Sequence, residues 1–418
     1  MQTQKKFAAT IGLDWADTHH DLWLQPADGS KPEHLILDQQ PEALHQWIAQ
    51  LRARFENQPV AFAIETSRGP VISALLGYDF IIVFPVNPKA LSSYRKSFRV
   101  SGAKDDRSDA RLLEQYLRHY RDQLKPLCPD TVLTRQLAGL AEKRRSLVDL
   151  RTQLVNQLQA ELKMYFPLAL TLLDDLTVPL AAAFLKKWPA LEALQNAGPQ
   201  KLRAFFYAHN CRSAKKMAAR LQALASARAL TTDKALIIPA SLKVHALAGL
   251  LQTLHPAIAT LDGEIQKAMD AHPDAPIFRS FPGAGPALAP RLLVAFGTQR
   301  DRFANAQEVQ QLFGIAPVKM ESGQNSAIYM RHRCPKFGRQ SFHENAGQAL
   351  KKEPWARAYY DRQRKNKKHH TAVRALAFKL LRIYFACWRD RKPYDRNIYI
   401  SSLQQCGSTL VQAGRKTV

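Results

Sequence analysis

A chain of 418 residues is longer than one ordinary hydrophobic core organises, so two or three domains are expected. Its 60 Lys and Arg against 35 Asp and Glu leave a formal net charge of +25, which calls for a polyanionic partner and favours nucleic acid over a membrane surface. No apolar stretch approaches a spanning helix and the amino terminus lacks a signal-peptide core, so the sequence predicts a cytoplasmic protein with no membrane partner.

Taken in chain order, residues 1–125 read as an α/β domain. Phe7 to Asp14 and Val60 to Glu65 are mostly uncharged and apolar, which predicts central strands buried on both faces, each ending in one acid. Between them lie His20 to Gln25, a short Leu35 to Leu37 run, and helical periodicity from Pro41 to Phe55 through Leu44, Trp47, Ile48 and Leu51. A helix start near Gly69 and Pro70, a strand from Phe80 to Phe84, and an acidic segment from Lys104 that opens a helix complete the layer order.

Residues 126–273 read as a long helix of coiled-coil type plus a helical insert. Leu133, Leu137, Leu140, Leu147, Leu154, Leu158 and Leu162 recur at helical spacing with few breakers. A second series, Leu247, Leu250, Leu254, Ile258, Leu261 and Ile265, is expected as its antiparallel return or as an oligomer contact, kinked by Pro256. Residues 167–240 are mostly helical in pattern and carry no chemistry. Residues 274–418 read as a compact, mainly α-helical domain with a basic tail. Aromatics such as Phe337, Trp355 and Tyr359 are interleaved with the basic residues from Arg331 to Lys392, which suits backbone neutralisation with some stacking. Val373, Leu376, Leu380, Ile383, Phe385 and Trp388 fit the core face of an amphipathic helix. The five cysteines, Cys128, Cys211, Cys334, Cys387 and Cys406, are too scattered for a zinc knuckle or a disulfide framework.

Four carboxylates, Asp14, Glu65, Asp106 and Asp109, carry the sharpest chemistry. Two close central strands and two sit one turn apart at a helix start, an order suited to holding Mg²⁺ against a phosphodiester, because Mg²⁺ prefers hard oxygen ligands. Singly, a strand-end acid also caps a helix or pairs with a lysine, and acids at a helix start favour its dipole. Asp105 with Asp109 serves the spacing nearly as well as Asp106 with Asp109. The Phe281 to Pro286 turn has helix-hairpin-helix character, in which Gly283 and Gly285 let backbone N–H groups approach a phosphate; a plain tight turn fits the same residues. Ser322 precedes Gly323 in a loop upstream of Arg331, His332, Arg333, Lys336 and Arg339. As a nucleophile it needs a base or metal and cations for the developing charge; as a Ser-Gly pair it is also ordinary turn chemistry. His332, His343, His369 and His370 fit a basic, solvated helix face.

In this order the motifs Gly12 to Asp14, Ile64 and Glu65, Ser101 to Ala110, Phe281 to Pro286, Phe313 to Val318, Ser322 and Gly323, Cys334 to Glu344, Trp355 to Tyr360, and Pro393 to Asp395 resemble the RuvC-like DEDD insertion-sequence transposases, the family of insertion sequence 110. The resemblance runs over nearly the whole chain. It implies an RNase H/RuvC-like amino-terminal domain whose Asp14, Glu65, Asp106 and Asp109 bind Mg²⁺, and a carboxyl-terminal transposase domain whose Ser322 is the nucleophile for DNA. It further implies a composite site between subunits joined by the coiled coil, a dimer assembling to a tetramer, and a structured guide (bridge) RNA that pairs with donor and target DNA. Gly283, Gly285, Arg331, Arg333, Lys336 and Arg339 are the expected nucleic-acid contacts. Many relatives have threonine where this chain has Asp105. The expected function is a site-specific DNA recombinase independent of ATP, consistent with the absence of a P-loop pattern. The alternatives are a Holliday-junction-type nuclease using water, and a non-catalytic nucleic-acid-binding protein.

Overall fold

A computed structural model describes residues 6–66, 69–98, 106–323 and 325–410, with the side chains of Phe98, Asp106 and Ser322 outside the description. The chain divides into two compact units, Met1–Pro129 and Asp130–Val418.

In the first unit, β1 (Ala9–Trp15), β2 (His19–Pro26) and β3 (Glu33–Asp38) form an antiparallel meander. α1 (Pro41–Arg54) crosses to β4 (Val60–Ile64), and α2 (Pro70–Leu75) to β5 (Ile81–Pro85), both strands running parallel to β1. The sheet order is β3-β2-β1-β4-β5, so β1 and β4 are central, as their uncharged sequences require. One face carries Ile11, Leu13, Leu22, Val60, Phe62 and Ile64 against Leu44, Ile48 and Leu51 of α1 and Val71, Ile72 and Leu75 of α2. The other is covered by α3 (Pro88–Phe98), a helix the sequence reading did not separate, and α4 (Asp106–Tyr120), whose Leu112, Leu113 and Leu117 pack with Ala61 and Ala63.

The second unit opens with α5 (Val132–Tyr165), capped by Thr131, whose hydroxyl accepts the Thr134 N–H. The segment that lacked chemistry in the sequence is helical: α6 (Leu168–Leu172), α7 (Pro179–Lys187), α8 (Leu191–Ala208) and α9 (Ala214–Ala225). α10 (Lys234–Asp270) returns antiparallel along α5, as the ion pairs Lys243–Glu161 and Arg144–Asp262 fix. Pro256, where a kink is expected, lies inside this continuous helix. Leu247, Leu251, Leu254 and Ile258 are buried on both sides of the proline, and this seam holds the helix across the missing N–H. Contrary to the sequence reading, α10 also contains an 18-residue window apolar enough to cross a membrane by length and composition alone, of which 28% is buried; Val244, Leu247, Leu251 and Leu254 pack within the helical unit, while Ile238, Leu242 and Leu250 are exposed.

α11 (Ala275–Arg279), α12 (Ala289–Phe296) and α13 (Ala306–Leu312) lead to a two-stranded ribbon, β6 (Pro317–Ser322) and β7 (Asn325–Met330). α14 (Lys336–Lys352), α15 (Pro354–Arg364), α16 (His369–Arg389) and α17 (Arg396–Gln405) complete the unit. Two hydrophobic clusters form inside it. One joins the far half of α5 to α6–α9 and the first half of α10; the other joins Leu137 and Ile265 to α11–α16, with Trp355, Tyr384 and Trp388 fully buried. The α16 stripe read from the sequence faces that core.

Candidate active site

The carboxylate face is built from alternation along β1. Paired residues on neighbouring strands share a sheet face, so Thr10, Gly12 and Asp14 line up with Ala61, Ala63 and then Glu65, which follows the last registered pair, Leu13 with Ile64. This is the face that α4 covers. Small residues let the helix come close: a Cβ on Gly12 would lie 1.9 Å from the Ala110 carbonyl oxygen and 2.5 Å from the Glu114 nitrogen. One step back along the strand, the Thr10 hydroxyl donates to Glu114 Oε1 at 2.7 Å.

These contacts set a register. Thr10 meets Glu114 and Gly12 meets Ala110, so the helix runs antiparallel to the strand, four helical residues (about 6 Å) matching two strand residues (about 6.6 Å). Continued one turn, the register sets the Asp106 backbone, at the amino end of α4, level with Asp14 at the carboxyl end of β1. Asp105 lies outside the described residues.

Asp14 and Glu65 are half-buried and Asp109 is buried. Arg95 of α3 donates to Asp109 Oδ1 at 2.5 Å. Among the described side chains, no three acids, histidines or cysteines are gathered closely enough to hold an ion, and Asp106 is not among those side chains. The donor chemistry nevertheless suits Mg²⁺: hard carboxylate oxygens on one sheet face at a helix amino terminus. One turn inside, burial pushes the Glu114 carboxyl above its usual range, against the lowering effect of the Thr10 hydrogen bond.

The fold adds residues that the sequence reading missed. Asp21 on β2 is the registered partner of Asp14, is buried, and bonds His34 Nε2 at 2.6 Å. Arg107 and Arg111, one turn apart on α4, stack over Trp23 at 5.8 and 5.4 Å from its ring centroid, and Trp23 is the registered partner of Gly12. The paired arginines were visible in the sequence. Their position beside the acids depends on strand pairing, which the sequence does not display.

In the second unit, Ser322 is not in an irregular loop as predicted; it is the last residue of β6, paired with Asn325, and Gly323 turns the ribbon with φ +57°. The predicted cations lie beyond the ribbon: Arg331 and Arg333 follow β7, and Lys336 and Arg339 belong to α14. Pro317 pairs with Met330 at the ribbon base, about 17 Å along the strands from Ser322, and Arg331 follows one residue further. Arg331, Arg333 and Lys336 are exposed and Arg339 half-buried, and none forms an ion pair among the described residues. Arg331 and Arg339 are instead held by carbonyls, of Gln311 and Arg331 respectively. Gly283, with φ +73°, is demanded by packing, since a Cβ there would lie 2.7 Å from the Ala349 nitrogen on α14; a Cβ on Gly285 would meet open space. Asn345 anchors this turn, donating to the Pro282 carbonyl and accepting from Tyr384.

A five-stranded mixed sheet with acids at the ends of adjacent parallel strands and at a facing helix start is compatible with an RNase H-like DEDD domain. Two family models match accordingly: a transposase model for the DEDD domain of IS110 elements over residues 11–167, and "Transposase IS116/IS110/IS902 family" over residues 275–361. The chain belongs to this IS110 family of insertion-sequence transposases. A Streptomyces coelicolor protein assigned as the mini-circle transposase for IS117 is 28% identical over 95% of this chain and 98% of its own length. The 42 kDa protein of insertion element IS900 from Mycobacterium paratuberculosis is 28% identical over 84% of this chain and 88% of that one. The 44.8 kDa protein of IS116 from Streptomyces clavuligerus is 26% identical over 91% and 95%.

Proposed function

We propose that this chain is the site-specific DNA recombinase of an insertion sequence, with Ser322 as nucleophile and Asp14, Glu65, Asp106 and Asp109 as the Mg²⁺ ligands. One observation carries the metal half of this reading: strand register and the Gly12 contact bring the carboxyl ends of β1 and β4 and the amino end of α4 to one sheet face. Of the two adjacent acids we take Asp106 as the ligand, because the register continues to its backbone. A magnesium ion held there supplies Lewis-acid polarisation of the scissile phosphate. The carboxylates hold and orient it, while Arg107 and Arg111 add positive charge beside the phosphate path.

In the proposed step the Ser322 oxygen bonds to phosphorus as the bond to the 3′ oxygen breaks, which leaves a phosphoserine and a free 3′ hydroxyl. Attack of a 3′ hydroxyl on that linkage releases the serine, so phosphodiester energy is conserved without ATP. A ribbon tip suits a residue that must reach a strand held elsewhere. The basic cluster beyond the ribbon base then serves backbone binding along the nucleic acid, away from the reacting atom. In this reading α5 and α10 form the coiled-coil arm that joins protomers, two dimers make the active tetramer, and a structured RNA guides donor and target choice.

The test is a denaturing-gel assay for a covalent protein–DNA adduct on supercoiled DNA bearing the element's ends, with Mg²⁺ and the RNA that copurifies. Ser322→Ala and Asp106→Asn are expected to abolish the adduct, and Asp105→Asn to retain it. Cleavage at the normal rate by Ser322→Ala would instead make water the nucleophile and the protein a structure-selective nuclease. Purification without bound RNA would remove guidance from the reading.

A further inference from the structure

A cleft of about 830 Å³ in the second unit lies far along the chain from Ser322, between α15, α16 and α17. Lys379 projects from α16 into its wall, half-buried, with Nζ 5.6 Å from the Tyr359 ring centroid and 5.9 Å from that of Tyr399. Among the described residues the Lys379 ammonium makes no hydrogen bond and no ion pair; Arg362 and Arg382 are its cationic neighbours, and the Cys406 sulfur acts on it in the opposite sense. Burial, reinforced by those guanidiniums, pushes the ammonium below its usual range. The acids on the rim are engaged elsewhere: Asp390 accepts from Arg389 at 2.8 Å, and Asp395 caps α17 through the Asn397 N–H at 2.7 Å. The Tyr399 hydroxyl is buried without a partner.

A desolvated cation among cations, flanked by two rings and an unsatisfied hydroxyl, lacks an anion and a flat apolar group. A nucleotide supplies both. We propose that this cleft binds an unpaired nucleotide of a single strand, its phosphate at Lys379 and Arg382 and its base against Tyr359 and Tyr399. An adjoining cleft of about 590 Å³, lined by Asn305, Gln307 and Gln311, shares Phe378 and Arg382, so the strand has a path onward. The inference deepens the recombinase reading and rests on its nucleic-acid role, but not on the chemistry of Ser322.

Fluorescence anisotropy of the full-length protein with labelled oligo(dT), oligo(rU) and a duplex of equal length tests it. Lys379→Met, Tyr399→Ala and the exposed Arg382→Ala are each expected to weaken single-strand binding about tenfold while duplex binding stays within about twofold. Lys379→Met should also reduce the salt slope by about 0.7. Lys379→Arg and Tyr399→Phe should retain most affinity, which separates a binding role from a folding one. Loss on oligo(rU) alone assigns the site to a guide RNA, and loss on oligo(dT) alone to a DNA strand. Equal weakening of the duplex, unchanged binding by Arg382→Ala, or equal competition by polyglutamate would overturn the proposal. A protein that forms no serine adduct still yields these affinities, so the two readings fail separately.

Discussion

Gly12 decides the geometry of the carboxylate face more than any of the acids does. Its missing Cβ lets the Ala110 carbonyl rest on the strand, and only at that separation can the start of α4 share a face with Asp14 and Glu65. Gly12→Ala must displace helix backbone, and is expected to cost about 3 kcal/mol in urea denaturation, with strand-transfer activity falling further than stability explains. Gly139, exposed inside α5 with nothing within 4 Å of its own built Cβ, is the control. There the same substitution should stabilise by up to about 1 kcal/mol, because it only removes backbone entropy from the unfolded chain. Equal effects at the two positions would contradict the packing account. The four acids stand out in the sequence because Asp14 and Glu65 close apolar runs and Asp106 and Asp109 lie one turn apart at a helix start. Asp21, Arg95, Arg107 and Arg111 were not, since they join the face through partners that are remote in sequence or set by register.

At the scale of elements, α5, α12 and α14 are tied by one buried ionic group. Arg291, 5% exposed, donates to Glu344 Oε2 at 2.6 Å and to Ser341 Oγ at 2.9 Å, and Arg145 of α5 reaches the other Glu344 oxygen at 3.1 Å. Burial lowers the affinity of Arg291 for its proton, and the Glu344 carboxylate opposes that. Glu344→Ala would strand a buried guanidinium, so a loss of about 3 kcal/mol is expected, read as a fall in Tm. Arg145→Ala leaves the Arg291 pair intact and should cost less than about 1 kcal/mol. A reversed ranking would show that α5, not Arg291, depends on this group. Elements were well predicted where one periodicity ran long. β4 is buried at every position, and the α5 leucines share one helix face. The ribbon was missed because both its strands are mostly exposed, with Met320, Ile328 and Tyr329 on the surface, so no buried alternation marks them.

At the scale of the molecule, the cores of the first unit are closed. Both of its hydrophobic clusters use residues no later than Leu127, so the fragment of residues 1–129 is expected to fold alone and unfold in one cooperative transition by circular dichroism. A gradual, featureless melt would show that it depends on the remainder of the chain. The amino-acid sequence by itself determined the layer order of this unit, the long helices of the second, the excess of positive charge and the family. The first three rest on periodicity and composition, which are properties of consecutive residues, and the family rests on motifs in a fixed order. Only the tertiary structure decided that Asp106 stands level with Asp14, that Gly283 serves packing against α14, and that the basic cluster sits beyond the base of the ribbon while Ser322 sits at its tip. Strand register and the seating of a helix on a sheet are set by contacts between residues far apart in the chain, and those contacts leave no periodic trace in either partner.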